Sequence, residues 1–401
     1  MEKLVTPAVW LIILIVGLPQ LSETVYTPAL PNIATFLHTS SSLVEFTLTI
    51  YLFGFSLGTL FWGRVSDKHG RKPCVIFGLI VFCMGSLICY ASPNIHTLLF
   101  GRLIQAFGGS IGSVLGQAIS RDSFKGPRLG QVYSVIGSSI GLFPIIGPIV
   151  GGIITQHLIW QDVFLLLIAM AIIVTALIAW KLPETHHKNN RSQLSLLKVL
   201  KALIRDKRVI GYAFIVAAAN GIYFSYFSEG SFYLIDMLHL TPVEYGFSFM
   251  FIGSAALVGG LVSKALNHHY HSQRILNWGI LIMIAGTSLM CIAASGYESH
   301  LLSAKKLAYS TIACEMIMMF SFTLIMSNAL ALALIDYQWC VGTASSLFGF
   351  AYYCLISLFT LGIALLHNGT VIPMPFYFLS LSLVIIVMNR FLVRGNKTEQ
   401  S

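Results

Sequence analysis

The sequence predicts an all-α integral membrane protein with twelve transmembrane helices in two pseudo-symmetric six-helix bundles. Three observations carry that prediction. First, only 10% of the 401 residues are charged while 56% are apolar or aromatic, against about 25% charged in an ordinary soluble domain. Soluble enzymes, secreted scaffolds and disordered chains are thereby excluded. Second, twelve uncharged runs recur, at about 8–30, 45–63, 74–92, 97–120, 130–155, 162–182, 208–235, 243–264, 275–296, 305–334, 341–366 and 372–393, each near the ~20 residues that cross a ~30 Å hydrocarbon layer as a helix. Third, the basic residues alternate from one connecting loop to the next.

No run shows strand-like alternation, so each reads as a helix that satisfies its own backbone in lipid. The first run follows Lys3 and resembles a secretory signal, but its length and the eleven spans after it mark it as an uncleaved first helix. Basic loops stay on the cytoplasmic side. All lysines and arginines except Arg102, Lys305 and Lys306 fall in the termini or in every second loop, so both termini are expected in the cytoplasm and the span number must be even. The net charge of +9 then reflects topology, not nucleic-acid binding.

The longest polar stretch, Pro183 to Lys207, divides six spans from six. The expected organisation is an N-terminal bundle at 1–182, a cytoplasmic linker at 183–207 and a C-terminal bundle at 208–401. Within the linker, Leu194 to Leu203 reads as a helix lying against anionic lipid. Gly63-Arg64-Val65-Ser66 and Gly260-Leu261-Val262-Ser263 end the second and eighth runs in related text, which with the six-plus-six count suggests two related halves about a central cavity. The seven cysteines show no Cys-x-x-Cys pair and read as small buried side chains. His268, His269 and His271 lack an accompanying acid or cysteine and read as a solvated turn, so no metal is expected.

The loop after the second run is Gly63-Arg64-Val65-Ser66-Asp67-Lys68-His69-Gly70-Arg71-Lys72-Pro73. Gly63 permits close helix approach, Gly70 a tight turn, and Asp67 is placed to meet a helix N-terminus or a basic partner in the other half. Arg71 and Lys72 hold the loop at the inner leaflet. This text resembles the loop between helices 2 and 3 of the major facilitator superfamily, and the resemblance implies a conformational latch made by Gly63, Asp67, Gly70 and Arg71. The matching place in the second half has Lys264 instead of an acid.

The fifth run carries Gly137, Gly141, Pro144, Gly147, Pro148, Gly151 and Gly152. Spacings of three and four put Gly137, Gly141, Pro144 and Pro148 on one face, a smooth stripe suited to tight packing and a kink. The segment from Phe143 to Gly152 resembles the motif of exporters and antiporters in that superfamily; a plain packing seam is the alternative. Val25 to Ala34, Gly101-Arg102 with Ser120-Arg121-Asp122, Leu182-Pro183-Glu184-Thr185 and Gly342 to Gly349 narrow the resemblance to drug:proton antiporters of the bicyclomycin and chloramphenicol resistance branch.

Ionisable groups at membrane depth cost about 2.5 kcal/mol or more. Arg102 lies roughly 8 Å and Glu23 roughly 10 Å from the outer face, where the two can pair or share a proton. The resemblance gives Arg102 a part in proton coupling; relatives often place the first-helix acid one position later, where this chain has Thr24. Glu315 near the midplane of the tenth run and Glu229 near the outer end of the seventh either titrate, contact a cationic substrate or bond a neighbouring helix. Tyr26, Tyr223, Tyr226 and Tyr352 either line a cavity or anchor the chain at the interface.

The expected function is proton-coupled export of small amphipathic compounds from the bacterial inner membrane. No cofactor beyond the proton gradient is expected, and the expected partners are a small-molecule substrate and the bilayer, with the chain acting as a monomer. A dedicated metabolite or siderophore transporter, exporting or importing, is the alternative; a transporter-like sensor is a third reading. No nucleotide loop, nucleophile elbow or zinc-protease pattern supports an enzyme.

Overall fold

A computed structural model describes residues 6–185 and 196–394. All regular structure among the described residues is helical, and twelve helices are long and apolar enough to cross a bilayer. They are α1 (Val9–Phe36), α2 (Ser41–His69), α3 (Arg71–Tyr90), α4 (Ile95–Ser123), α5 (Arg128–His157), α6 (Asp162–Lys181), α7 (Lys207–Met237), α8 (Pro242–Leu266), α9 (Ser272–Glu298), α10 (Ala304–Tyr337), α11 (Gly342–Leu366) and α12 (Pro373–Val393). Several outrun the uncharged text that announced them. Polar end turns need not lie in hydrocarbon, and α4 keeps Arg121 and Asp122 in helical backbone at its end.

The chain divides into two units, Met1–Gln193 and Leu194–Ser401. Of the polar stretch between the sixth and seventh runs, Leu194 and the basic residues Lys188 and Arg191 lie outside the described residues, while Leu196–Arg205 forms a short linker helix in the second unit.

Within the first unit α4 packs on α2 and α3, α1 on α5, and α3 on α6; within the second, α10 packs on α8 and α9, α7 on α11, and α9 on α12. The same pairing six helices later is the internal repeat that the related loop text suggested. Ser66 and Ser263, matching positions of that text, are both buried and hydrogen-bonded: Ser66 Oγ accepts from Arg71 at 2.8 Å, and Ser263 Oγ meets Ser327 Oγ at 2.9 Å and accepts from Asn328 at 3.1 Å.

Backbones approach closely along α4. A Cβ at Gly54 or Gly58 of α2 would lie 2.7 and 2.6 Å from the carbonyls of Leu103 and Phe107. On the α3 side, a Cβ at Gly108 would run into the backbone of Phe82, and on the α1 side one at Gly112 would run into the carbonyl of Ile15. Such small-residue seams replace the hydrophobic drive that helices lack in lipid. Gly63, expected to permit close approach, does not need its glycine, since a Cβ there would meet only Val114, at an ordinary 3.6 Å. The outward faces instead carry large exposed apolar side chains such as Phe77, Phe100, Ile172, Leu281 and Ile292, which suits lipid contact.

α1 is not continuous, although its uncharged run at about 8–30 reads as one helix. Val9–Thr24 is α-helical, Thr27–Ala29 is a tighter 3₁₀ turn, and Leu30–Phe36 resumes. Pro28 and Pro31 lack donors and disfavour helix in the residues before them. The Thr27 hydroxyl donates to the Thr24 carbonyl at 2.9 Å across the break. Glu23 and Tyr26 flank this break and are buried.

Candidate functional site

Arg102, on α4, is fully buried in the first unit. Its guanidinium carbon lies 4.0 Å from the centre of the Tyr26 ring and 4.1 Å from that of Tyr51, so the cation sits between two aromatic rings. Nη1 donates to Gln105 Oε1 at 2.6 Å and to the Ser22 carbonyl at 3.3 Å. The network continues outward. Gln105 Nε2 donates to Ser86 Oγ at 2.7 Å, which donates to the Phe82 carbonyl at 2.8 Å. Tyr51 donates to the Pro19 carbonyl at 3.2 Å, and the Tyr26 hydroxyl meets Thr47 Oγ1 at 3.2 Å.

Burying an arginine removes hydration worth several kcal/mol. Two desolvated cation–π contacts, up to about 2 kcal/mol each, and a charge-assisted bond of about 1.5–3 kcal/mol offset part of that. Nε and Nη2 have no hydrogen-bond partner, and neither does Glu23 Oε1. Glu23 and Arg102 make no direct ion pair, so the pairing open to them in the sequence is replaced by the tyrosine clamp. The cluster therefore holds a buried carboxyl and a buried cation with capacity unspent on both. Sequence reading named Glu23, Arg102 and Tyr26 but missed Tyr51, Gln105, Ser22 and Ser86, which carry no signal until α2, α3 and α4 are packed together.

The motif of α5 joins the same site from behind. A Cβ at Gly147 would collide with the Thr24 side chain, and one at Gly151 with the Val25 carbonyl, so these glycines seat α5 against the break of α1. Gly152 is buried beside them, and Pro144 and Pro148 lie within the helix. The stripe expected to pack is different: among the described residues, a Cβ at Gly137 or Gly141 would have nothing within 4 Å. Spacing alone groups residues on a face, but only the neighbour decides which face is used.

At the other end of the unit, Gly70 has φ 102° and ψ 162°, a region open essentially to glycine. The turn delivers Arg71, which is buried and donates to Asp67 Oδ1 at 2.6 Å, Ser66 Oγ at 2.8 Å and Asp122 Oδ2 at 2.9 Å. The α3 N-terminus is capped by Glu184, whose carboxylate accepts from Arg71 N at 2.8 Å and Lys72 N at 3.1 Å. The α3 N-terminus is thus held by Glu184, Asp67 pairs with Arg71 of its own unit, and three separated pieces of text meet in one cluster.

In the second unit Glu315 is fully buried with neither carboxyl oxygen partnered, and Tyr226, Tyr233 and Thr311 are buried in the same unit. The Glu315 carboxyl lies within electrostatic reach of Tyr226. Buried polar groups left unsatisfied require an explanation such as an ion, water or a functional role. Glu229 is buried and meets His367 Nδ1 at 2.8 Å. Tyr223 is half-buried and stacks on Phe322 at 5.2 Å; Tyr352, also half-buried, stacks on Tyr353 at 4.9 Å. His268, His269 and His271 are exposed in the turn between α8 and α9.

The model of the Major Facilitator Superfamily matches residues 12–393. The chain belongs to that superfamily. Its members are membrane transporters and not enzymes, so a small-molecule substrate and a lipid bilayer are its partners. A protein of Rickettsia bellii named an uncharacterized transporter is 36% identical over 376 residues, 93% of each chain. The bicyclomycin resistance protein homolog of Haemophilus influenzae is 27% identical over 94% of each chain. Multidrug resistance protein D of Escherichia coli is 26% identical over 44% of each. Those names fit the drug:proton antiporter branch that the motifs resemble. The crystal structure of a D-xylose–proton symporter superposes with a TM-score of 0.76 over 96% of this chain and 98% of that one, at 11% identity, and shows that the fold is shared.

Proposed function

We propose that this transporter exports small amphipathic compounds in exchange for protons by alternating access. The observation that carries the reading is the buried Glu23 carboxyl, unpartnered at Oε1, in the cluster that holds Arg102 between Tyr26 and Tyr51. A carboxyl in that position exchanges a proton for a second ligand of the cluster, and the α5 glycines seated against the α1 break transmit the change. Arg102 is the fixed charge against which Glu23 titrates. Glu315 and Glu229 are the carboxyls of the second unit that serve the same purpose, the half-buried Tyr223 and Tyr352 offer aromatic surface to flat cargo, and the buried Tyr226 backs that wall. Asp67, Gly70 and Arg71 form the latch that biases the open face.

In this reading the chain works as a monomer in the bacterial inner membrane with both termini cytoplasmic, residues 1–182 and 208–401 forming the two bundles and 183–207 the linker. Export is favoured by the motif of α5 and by the multidrug-resistance names of relatives. One proton moving through about 100 mV supplies about 2.3 kcal/mol, enough for a roughly fiftyfold gradient of neutral cargo.

The test is substrate-driven proton release from purified protein, followed by counterflow in liposomes. Wild type should release protons on adding a drug, and Glu23→Gln should not. Full gradient-driven transport in both Glu23→Gln and Glu315→Gln removes these carriers, and transport that persists after the proton gradient and voltage are collapsed removes the antiport itself. The 36% identical relative is named without a substrate, which leaves a dedicated metabolite or siderophore transporter, exporting or importing, as the alternative; deletion causing one metabolite to accumulate, with drug tolerance unchanged, would establish an exporter of that kind.

A further inference from the structure

The linker helix Leu196–Arg205 carries three stripes. Val199 and Leu203 are buried against the second unit, where the helix packs on α7 and α11. Leu197, Leu200 and Ile204, spaced by three and four, are 68%, 36% and 61% exposed. Lys198, Lys201 and Arg205 follow with the same spacing about 100° further round, and all three are exposed. A surface helix facing only water has no use for three exposed aliphatic side chains in line beside its basic ones.

The helix is fixed in place. Asp206 leaves helical backbone and its side chain caps α7, accepting from Arg208 N at 2.9 Å and Val209 N at 3.4 Å. Tyr337 donates to the Ala202 carbonyl at 3.3 Å and to Asp206 Oδ2 at 3.2 Å, and Asp336 pairs with Arg208 at 3.1 Å. The neighbouring acids are therefore occupied, and Lys198, Lys201 and Arg205 have no ion-pair partner among the described residues. One residue separates the helix from α7, which places it at the membrane boundary.

We propose that this helix docks on the anionic phospholipid surface of the leaflet beside it. Leu197, Leu200 and Ile204 seat among the acyl chains, Lys198, Lys201 and Arg205 meet lipid phosphates, and Val199 and Leu203 tie the helix to the second unit. Apolar and basic stripes side by side are what an in-plane interfacial helix requires, and each basic residue near an anionic leaflet adds about a fivefold preference. The inference rests on the chain being a membrane transporter and not on proton coupling, so failure of Glu23 as a carrier leaves it standing.

The test uses full-length purified protein in detergent, offered equal amounts of phosphatidylglycerol and phosphatidylethanolamine, with bound lipid counted by native mass spectrometry. Wild type should retain phosphatidylglycerol preferentially. The triple variant Lys198→Gln, Lys201→Gln, Arg205→Gln should lose about tenfold or more of that preference, while Lys264→Gln with Arg274→Gln, in another basic loop, should keep it. An undiminished preference in the triple variant, or an equal loss in the control, overturns the proposal. Wild type alone gives a second reading: a preference that survives about 1 M salt, where screening shortens to about 3 Å, also overturns it.

Discussion

Gly70→Ala offers a sharp test of the turn between α2 and α3. At φ 102° and ψ 162° an alanine is strained by about 1–3 kcal/mol. Its Cβ would also stand 2.6 Å from Glu184 Oε2. Glu184 is exposed, but swinging it aside uncaps Arg71 N and Lys72 N, and a lost cap costs about 1 kcal/mol. The two effects together predict a loss of about 2–4 kcal/mol, or roughly 5–15 °C in apparent melting temperature for a unit of this size, read by thermal unfolding of detergent-purified protein. The same substitution in a Glu184→Ala background should cost about 1 kcal/mol less, because the cap is already gone. Wild-type melting of Gly70→Ala, or an identical cost in both backgrounds, would refute the reasoning.

Three further predictions follow from the first unit. Gly151→Ala should lower the apparent melting temperature, by an overpacking cost of about 1–3 kcal/mol, whereas Gly141→Ala, facing open space, should not; equal effects would remove the assigned packing face. Tyr51→Phe keeps the ring over Arg102 and should retain substrate-induced proton release, while Tyr51→Leu should lose most of it together with up to about 2 kcal/mol of cation–π stabilisation; indistinguishable variants would mean the ring is not what holds the cation. Asp122→Asn leaves Arg71 with Asp67 and Ser66 and should cost about 1–2 kcal/mol, detectable in the same melting assay and absent if the 2.9 Å contact does not form in solution.

The spans were legible because lipid imposes a simple rule on composition, and their direction because lysine and arginine obey another. The break in α1 went unread, although Pro28 and Pro31 carry it. The need for glycine at position 70 was also readable, since a tight basic turn demands it, but its partner Glu184, 114 positions away, was not. Arg102 and Glu23 stood out because charge at depth is rare. Tyr51 looked like any other aromatic in an apolar run, and its role exists only once α2 and α4 approach through Gly54 and Gly58. The α5 stripe was misassigned for a related reason: periodicity ranks faces by composition, whereas Gly147 and Gly151 are fixed by the Val25 carbonyl and Thr24 side chain at the break of α1. Nothing in the text marked Gly63 as dispensable for packing, because a glycine at a loop edge and one at a crossing look alike.

The glycine seams along α4 bring its backbone directly against those of α1, α2 and α3 at Gly112, Gly54, Gly58 and Gly108, so little there can flex to absorb a shift. Those four helices should move as one solid block carrying Arg102, Tyr51 and Glu23 with it. In α5 the stretch before Pro144 meets no such neighbour among the described residues at Gly130, Gly137 and Gly141 and is held through side chains such as Val132 and Ile136, while Gly147 and Gly151 are bolted down. That makes α5 a jackknife, with its blade on one side of the two prolines and its handle on the other. Hydrogen exchange should find amides 130–141 opening far more often than those of α4, and stapling the blade should halt turnover while the arginine stays clamped.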